Sequence, residues 1–259
     1  MKNIYFFSDL HLGLPNHEKS LVREKLLVKA LDEIKEKASV IYFVGDIFDY
    51  WWEYKHVVPR GYTRFLGKIA ELTDSGIEIH FFTGNHDVWI KSYLVEECGV
   101  IVHNKELIKE LFGKRFFIAH GDGLGKGDRG YKFLKMIFLS RFLQWCWSRL
   151  HPNFTFFTAK LWSNSRRKRE TEYAFRGFDK EFLIQFANHR SEEEHFDYFV
   201  FGHRHFPLHI YLNEKSQFIN LGDWIVNFTF GEFRPDGFSL KTFKSGIIED
   251  FKTDLKKTE

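Results

Sequence analysis

Five short runs of apolar residues, at positions 4–7, 40–44, 77–82, 116–119 and 198–201, each end at a polar segment. The runs are rich in β-branched and aromatic side chains, which is the pattern of a buried strand. Between the first two, across residues 18–37, Leu27, Ala30, Leu31 and Ile34 recur at helical spacing with Lys and Glu on the other face. Strand, helix, strand is the βαβ unit and predicts a mostly parallel sheet. Ligands of such sheets sit beyond the carboxyl ends of the strands, so loops distant in sequence are expected to meet there.

Residues 126–175 break this rhythm. Lys126-Gly127-Asp128 reads as a turn, and Phe133, Leu134, Ile137, Phe138, Phe142, Leu143, Trp145, Trp147 and Leu150 then form a wide apolar helical face. His151-Pro152-Asn153 interrupts it. A second apolar piece runs into Arg166-Arg167-Lys168-Arg169. The pattern predicts one domain over residues 1–259, with 126–175 a helical cap inserted over the strand ends.

The polar segments carry the chemistry. In order they are Asp9-Leu10-His11, Gly45-Asp46-Ile47-Phe48-Asp49, Gly84-Asn85-His86-Asp87, His120-Gly121-Asp122 and Gly202-His203-Arg204-His205. Taken singly each has an ordinary reading: a loop cap, or a turn dipeptide. As an ordered set at five strand ends they supply carboxylates, imidazoles and one amide, enough for two divalent cations. Alternating strand faces predict that Asp9 and His11 leave on the same side, and likewise His203 and His205. A carboxylate after a glycine, Asp46, is the candidate bridge between two ions. Mn²⁺, Fe²⁺ and Zn²⁺ all accept such mixed ligands. A two-metal site activates water and clamps a phosphate, so the segments already suggest phosphoester hydrolysis.

This set resembles the signature of the calcineurin-like metallophosphoesterases, and it spans the chain from Asp9 to His205. The resemblance implies an α/β fold, a four-layer αββα sandwich. It implies that Asp9, His11, Asp46 and His205 hold one metal, and that Asp46, Asn85, His120 and His203 hold the other. It places His86 beside the phosphate as general acid or positive clamp, with Asn85 and His203 also against substrate. Asp49 is not a ligand in the family and is expected to buttress the site.

Smaller features resemble the UDP-2,3-diacylglucosamine diphosphatases of lipid A synthesis, which release UMP and leave 2,3-diacylglucosamine 1-phosphate (lipid X). These are the run from Gly45 to Trp51, His120-Gly121-Asp122 followed by Asp128 and Tyr131, and the greasy basic cap. The resemblance implies substrate contacts at Asp128, Ser165 and Arg169, with Mn²⁺ as the expected metal. Many of these enzymes carry Arg where His86 stands, and Arg169 and Glu172 replace their Asn and Lys. A different phosphodiesterase, nucleotide hydrolase or phosphoprotein phosphatase is the competing enzymatic reading. A catalytically silent scaffold of the same fold is the non-enzymatic one.

Bulk properties fit this picture. The chain has 31 Phe among 259 residues, which supply apolar area with no hydrogen-bonding demand, for a core or a lipid-facing surface. A net charge of +3 and a short basic run give no case for nucleic acid. Two cysteines, Cys98 and Cys146, suggest no disulfide framework and a reducing compartment. No segment reads as a signal peptide or a membrane span. The expectation is a cytoplasmic protein resting on the inner face of the cytoplasmic membrane through its cap.

Overall fold

The structure, a computed structural model, describes residues 2–125, 135–167, 175 and 177–252. Asp128, Phe133, Leu134, Arg169 and Glu172 lie outside the described residues, as does the side chain of Ser165.

Two sheets form among the described residues. The first has strand order β12-β11-β10-β1-β2-β3-β4 and the second β5-β6-β7-β9-β8. The strands are β1 Asn3–Phe7, β2 Ala38–Val44, β3 Glu78–Phe82, β4 Ile101–His103, β5 Leu107–Leu111, β6 Lys114–Ala119, β7 Tyr198–Phe201, β8 Pro207–Tyr211, β9 Gln217–Leu221, β10 Thr229–Arg234, β11 Gly237–Lys244 and β12 Ile247–Asp250. The helices are α1 His17–Ile34, α2 Thr63–Asp74, α3 Tyr93–Cys98, α4 Arg141–Trp147, α5 Pro152–Arg167 and α6 Phe182–Glu193.

Side-chain alternation along the strands builds the layers. In β1, Tyr5 and Phe7 face the core that holds Leu27, Leu31 and Phe65 of α1 and α2. Ile4 and Phe6 point the other way, into a core shared with Ile118 and Val200 of the second sheet. In β7, Phe199 and Phe201 turn outward onto Leu183 and Ala187 of α6. Helix, sheet, sheet, helix is the αββα sandwich. With both faces covered, a strand reads as a continuous apolar run, which is why five of them stand out in the sequence.

All five anticipated strands form, and β1 to β4 run parallel, as do β6, β7 and β9. The sheets as wholes are mixed rather than mostly parallel. β10 pairs antiparallel with β1, β11 and β12 extend that edge, and β5 and β8 close the second sheet antiparallel.

Candidate metal centre

The carboxyl ends of β1, β2, β3, β6 and β7 open onto one place. The chain turns there through an unusual conformation: Asp9, His11, Asp46, His203 and His205 all have positive φ, between 41° and 67°. Such angles are uncommon in residues with a Cβ and persist where surrounding contacts impose them. Strand alternation predicts a common direction for Asp9 and His11, and for His203 and His205. The structure gives a different cause. Both pairs lie past the strand ends, where left-handed residues aim the side chains.

Each of the two central carboxylates has one oxygen anchored and one presented. Asp9 Oδ2 lies 2.6 Å from Ser8 Oγ and accepts the His203 N–H at 2.9 Å. Its Oδ1 sits 3.2 Å from His205 Nε2 and 3.8 Å from His11 Nε2. Asp46 Oδ1 accepts the His86 N–H at 2.9 Å. Its Oδ2 lies between two imidazoles, 3.5 Å from His11 Nε2 and 3.4 Å from His120 Nε2. Asp46 is therefore common to two groups, His11–Asp46–His86 and Asp46–His120–His203, and the first shares His11 with a third, Asp9–His11–His205. Close approach by backbone makes this possible. A Cβ at Gly84 would stand 2.2 Å from Asp46 Oδ1, and one at Gly202 would stand 1.9 Å from Ser8 Oγ.

A profile of the calcineurin-like phosphoesterase family matches residues 2–207. The chain belongs to that family. The phosphoesterase is 43% identical over 236 residues to a UDP-2,3-diacylglucosamine hydrolase of Porphyromonas gingivalis, covering 86% of this chain and 90% of the relative. A protein of that name from Histophilus somni is 26% identical over 93% of this chain and all of its own length. One from Neisseria meningitidis serogroup A is 30% identical over 75% of this chain and 85% of the relative. Family membership makes the protein a metal-dependent hydrolase.

The donor set of the phosphoesterase fits two divalent cations. Asp9 Oδ1, Asn85 Oδ1 and His120 Nε2 are buried without a hydrogen-bond partner, a state that is unfavourable unless something else meets those atoms. His120 Nδ1 lies 2.9 Å from the Val44 carbonyl, which can only accept, so Nδ1 carries the proton and Nε2 is the nitrogen available for a cation. The carboxylates draw positive charge inward. Burial opposes charge on His11 and His120, yet Asp49, Asp9 and Asp46 outweigh it and raise both to about 10. Divalent cations answer the same demand. Burial also works against ionised Asp46, but the His120 and His86 charges hold it well below the ordinary carboxylate range. His203 is pushed down to about 4 by burial and by the His120 charge.

His86 stands at the edge of the cluster, its ring centroid 4.7 Å from that of His11. Its Nδ1 lies 3.1 Å from the Asp49 carbonyl, which fixes the proton on that nitrogen and leaves Nε2 for other work. Burial lowers its pKa, and the Asp46 charge opposes this without reversing it.

Several orienting residues carry no ligand signature in the sequence. Asp87 accepts the N–H groups of Gly84, Ile47 and Phe48, stapling two loops together. Its burial and the Asp46 charge raise it to about 7. Asp223 lies 3.8 Å from His205 Nδ1 and accepts three successive backbone N–H groups. Arg23 from α1 donates to the carbonyls of His11 and Leu14. Asp87 and Ser8 adjoin candidate ligands in the sequence, which was the available signal. Asp223 had none.

The cap lies against this centre. Trp89 Nε1 donates to the Phe138 carbonyl, Trp147 Nε1 lies 3.1 Å from Tyr50 Oη, and Tyr54 Oη lies 2.7 Å from Thr155 Oγ1. Between cap and core is a cavity of about 460 Å³, lined by Asn85 and His86 together with Ile137, Phe138, Leu143, Trp147 and Leu150. Phe142, grouped with these residues by its helical spacing, faces outward and is 69% exposed.

Proposed function

We propose that this phosphoesterase hydrolyses the pyrophosphate of UDP-2,3-diacylglucosamine to UMP and 2,3-diacylglucosamine 1-phosphate. The observation that carries the reading is the largely apolar cavity whose lining includes Asn85 and His86. It offers room for acyl chains beside the phosphate chemistry, and each buried methylene is worth about 0.8 kcal/mol. The names of the three relatives agree with it.

Asp9, His11, Asp46 and His205 are assigned to one cation, and Asp46, Asn85, His120 and His203 to the other. Bound cations supply Lewis acidity, attracting the phosphate and making water nucleophilic near neutral pH. Mn²⁺ is the proposed ion, with Fe²⁺ and Zn²⁺ as alternatives that suit the same donors. His86, with Nδ1–H committed to Asp49, uses Nε2 to exchange a proton with the leaving oxygen. Asn85 and His203 also face the substrate phosphates. Asp128, Ser165 and Arg169 are assigned to the sugar-phosphate headgroup by their place in the sequence. The cap excludes water and rests on the inner face of the cytoplasmic membrane, where a diacylated substrate resides.

The test compares UDP-2,3-diacylglucosamine with the unacylated sugar nucleotide, using purified protein loaded in turn with Mn²⁺, Fe²⁺ and Zn²⁺. Hydrolysis far faster on the acylated compound is expected. Equal rates on both would remove the lipid from the assignment.

A further inference from the structure

Ser163, on helix α5 of the cap, is buried, and its hydroxyl lies 2.9 Å and 3.1 Å from the two carboxylate oxygens of Asp49. Asp49 in turn stands between two imidazoles. Its Oδ1 is 3.7 Å from His11 Nδ1 and 3.5 Å from His86 Nδ1, and its carbonyl accepts from His86. The other described cap contacts, at Tyr50, Tyr54 and Trp89 and from Lys135 to Asp122, attach the insert to the loops around the site. The Ser163 contact reaches a residue that touches His11 and His86.

The geometry points to Ser163 as a positioning residue that couples the seating of the cap to the alignment of His86 and His11. The inference rests on the hydrolytic role of the centre described above. It adds that the cap does more than wall the cavity. When α5 is in place, the Ser163 hydroxyl fixes the Asp49 carboxylate, whose Oδ1 faces the Nδ1 edge of both His11 and His86 and biases how each ring is set. A hydrogen bond to an ionised group is among the stronger ones and sharpens direction as well as distance. A shift of even one ångström in a reacting group is enough to lower a rate about a hundredfold.

Four variants, Ser163→Ala, Ser163→Thr, His86→Ala and the Ser163→Ala/His86→Ala double variant, test the coupling on two substrates. These are UDP-2,3-diacylglucosamine and the small diester bis(4-nitrophenyl) phosphate, which has no acyl chain to place in the cavity. Ser163→Ala is expected to lower kcat about tenfold on both, with KM changed by less than about threefold, as loss of one charge-assisted hydrogen bond allows. Ser163→Thr keeps the hydroxyl and is expected to restore kcat. In the His86→Ala background the serine substitution should cost clearly less than it does in the wild type, because part of its effect passes through that imidazole and only the His11 part remains. A rise in KM confined to the acylated substrate would make Ser163 a piece of cavity wall and overturn the proposal. So would additive losses in the double variant.

Ring-nitrogen NMR of ¹⁵N-histidine-labelled, zinc-loaded protein reads the coupling without turnover. The His86 signals are expected to shift in Ser163→Ala and to return in Ser163→Thr. Unchanged signals in Ser163→Ala would also overturn the proposal. If the wild type fails on the lipid substrate, the substrate assignment falls, while the diester rates and the NMR signals still decide the role of Ser163.

Discussion

Replacing Asp46 with asparagine separates the two jobs its oxygens do. The amide oxygen would still accept the His86 N–H, now received by Oδ1 at 2.9 Å. The amide nitrogen would fall where Oδ2 stands, between His11 and His120, and it cannot ligate a cation. Asp46→Asn should therefore fold normally, bind fewer than two metals per chain by elemental analysis, and lose roughly 10³-fold in kcat, the equivalent of about 4 kcal/mol of transition-state stabilisation. Two tightly bound metals with near-normal turnover would remove Asp46 from the bridging role. At this scale the candidate ligands stood out because paired imidazoles and carboxylates at strand ends have few other uses, and the structure brings them together. Of the residues that orient them, Asp49 was expected from its motif, and the others were not read. Ser8, Asp87 and Asp223 act by accepting or donating to backbone that arrives from elsewhere in the fold, and a single sequence does not show which backbone that is. The left-handed turns at five proposed ligands were likewise invisible, since none of the five is a glycine.

Strands covered on both faces were the easiest elements to read, and the two-sheet packing accounts for it. The edges were harder. β11 alternates buried and half-buried positions, while neighbouring β10 is buried along nearly its whole length, so no shared period marks the pair as an antiparallel extension of the parallel strands. No polar segment of metal-ligand type follows them to draw attention. The edge hairpin of β8 and β9 carries a pH dependence of its own. His209, on β8, is packed against the edge of Phe238 with Nε2 2.7 Å from Gln217 Oε1 on β9, and burial pushes its pKa below the ordinary 6.5. The unfolded chain then binds the proton more readily than the folded one. Stability should be level above neutrality and should fall as pH drops through about 6.5, with no further loss from this group below its folded-state pKa. Urea midpoints of chelator-treated protein between pH 8 and pH 5 would show this, and His209→Gln should flatten part of the slope. An identical slope in the variant would mean that other groups, His80 and His103 among them, carry the whole effect.

The molecule as a whole is asymmetric in a way that bears on where it works. One end of the sandwich holds the polar centre, and the cap above it turns some apolar side chains into the cavity and others out to solvent. Met136, Phe142, Trp145, Phe154, Phe157 and Leu161 are each more than half exposed. Phe142 and Trp145 stack with ring centroids 6.4 Å apart, and Arg149 lies over Trp145 at 5.0 Å, so aromatic surface and positive charge occur together. No described helix is long and apolar enough to cross a membrane. Outward aromatics beside basic residues suit a bilayer interface, where rings enter the headgroup region and cations meet anionic lipid. Burying two Phe side chains there is worth about 3 kcal/mol or more, a factor of roughly a hundred in partitioning. Phe142→Ser with Phe157→Ser should therefore reduce co-sedimentation with vesicles of phosphatidylglycerol and phosphatidylethanolamine by about that factor. Turnover of a detergent-dispersed substrate should stay near wild type, because neither ring lines the cavity. Vesicle binding that survives the double substitution, or no vesicle binding by the wild type, would remove this face as a membrane contact, and a parallel loss of turnover would show that the two rings hold the cap together instead.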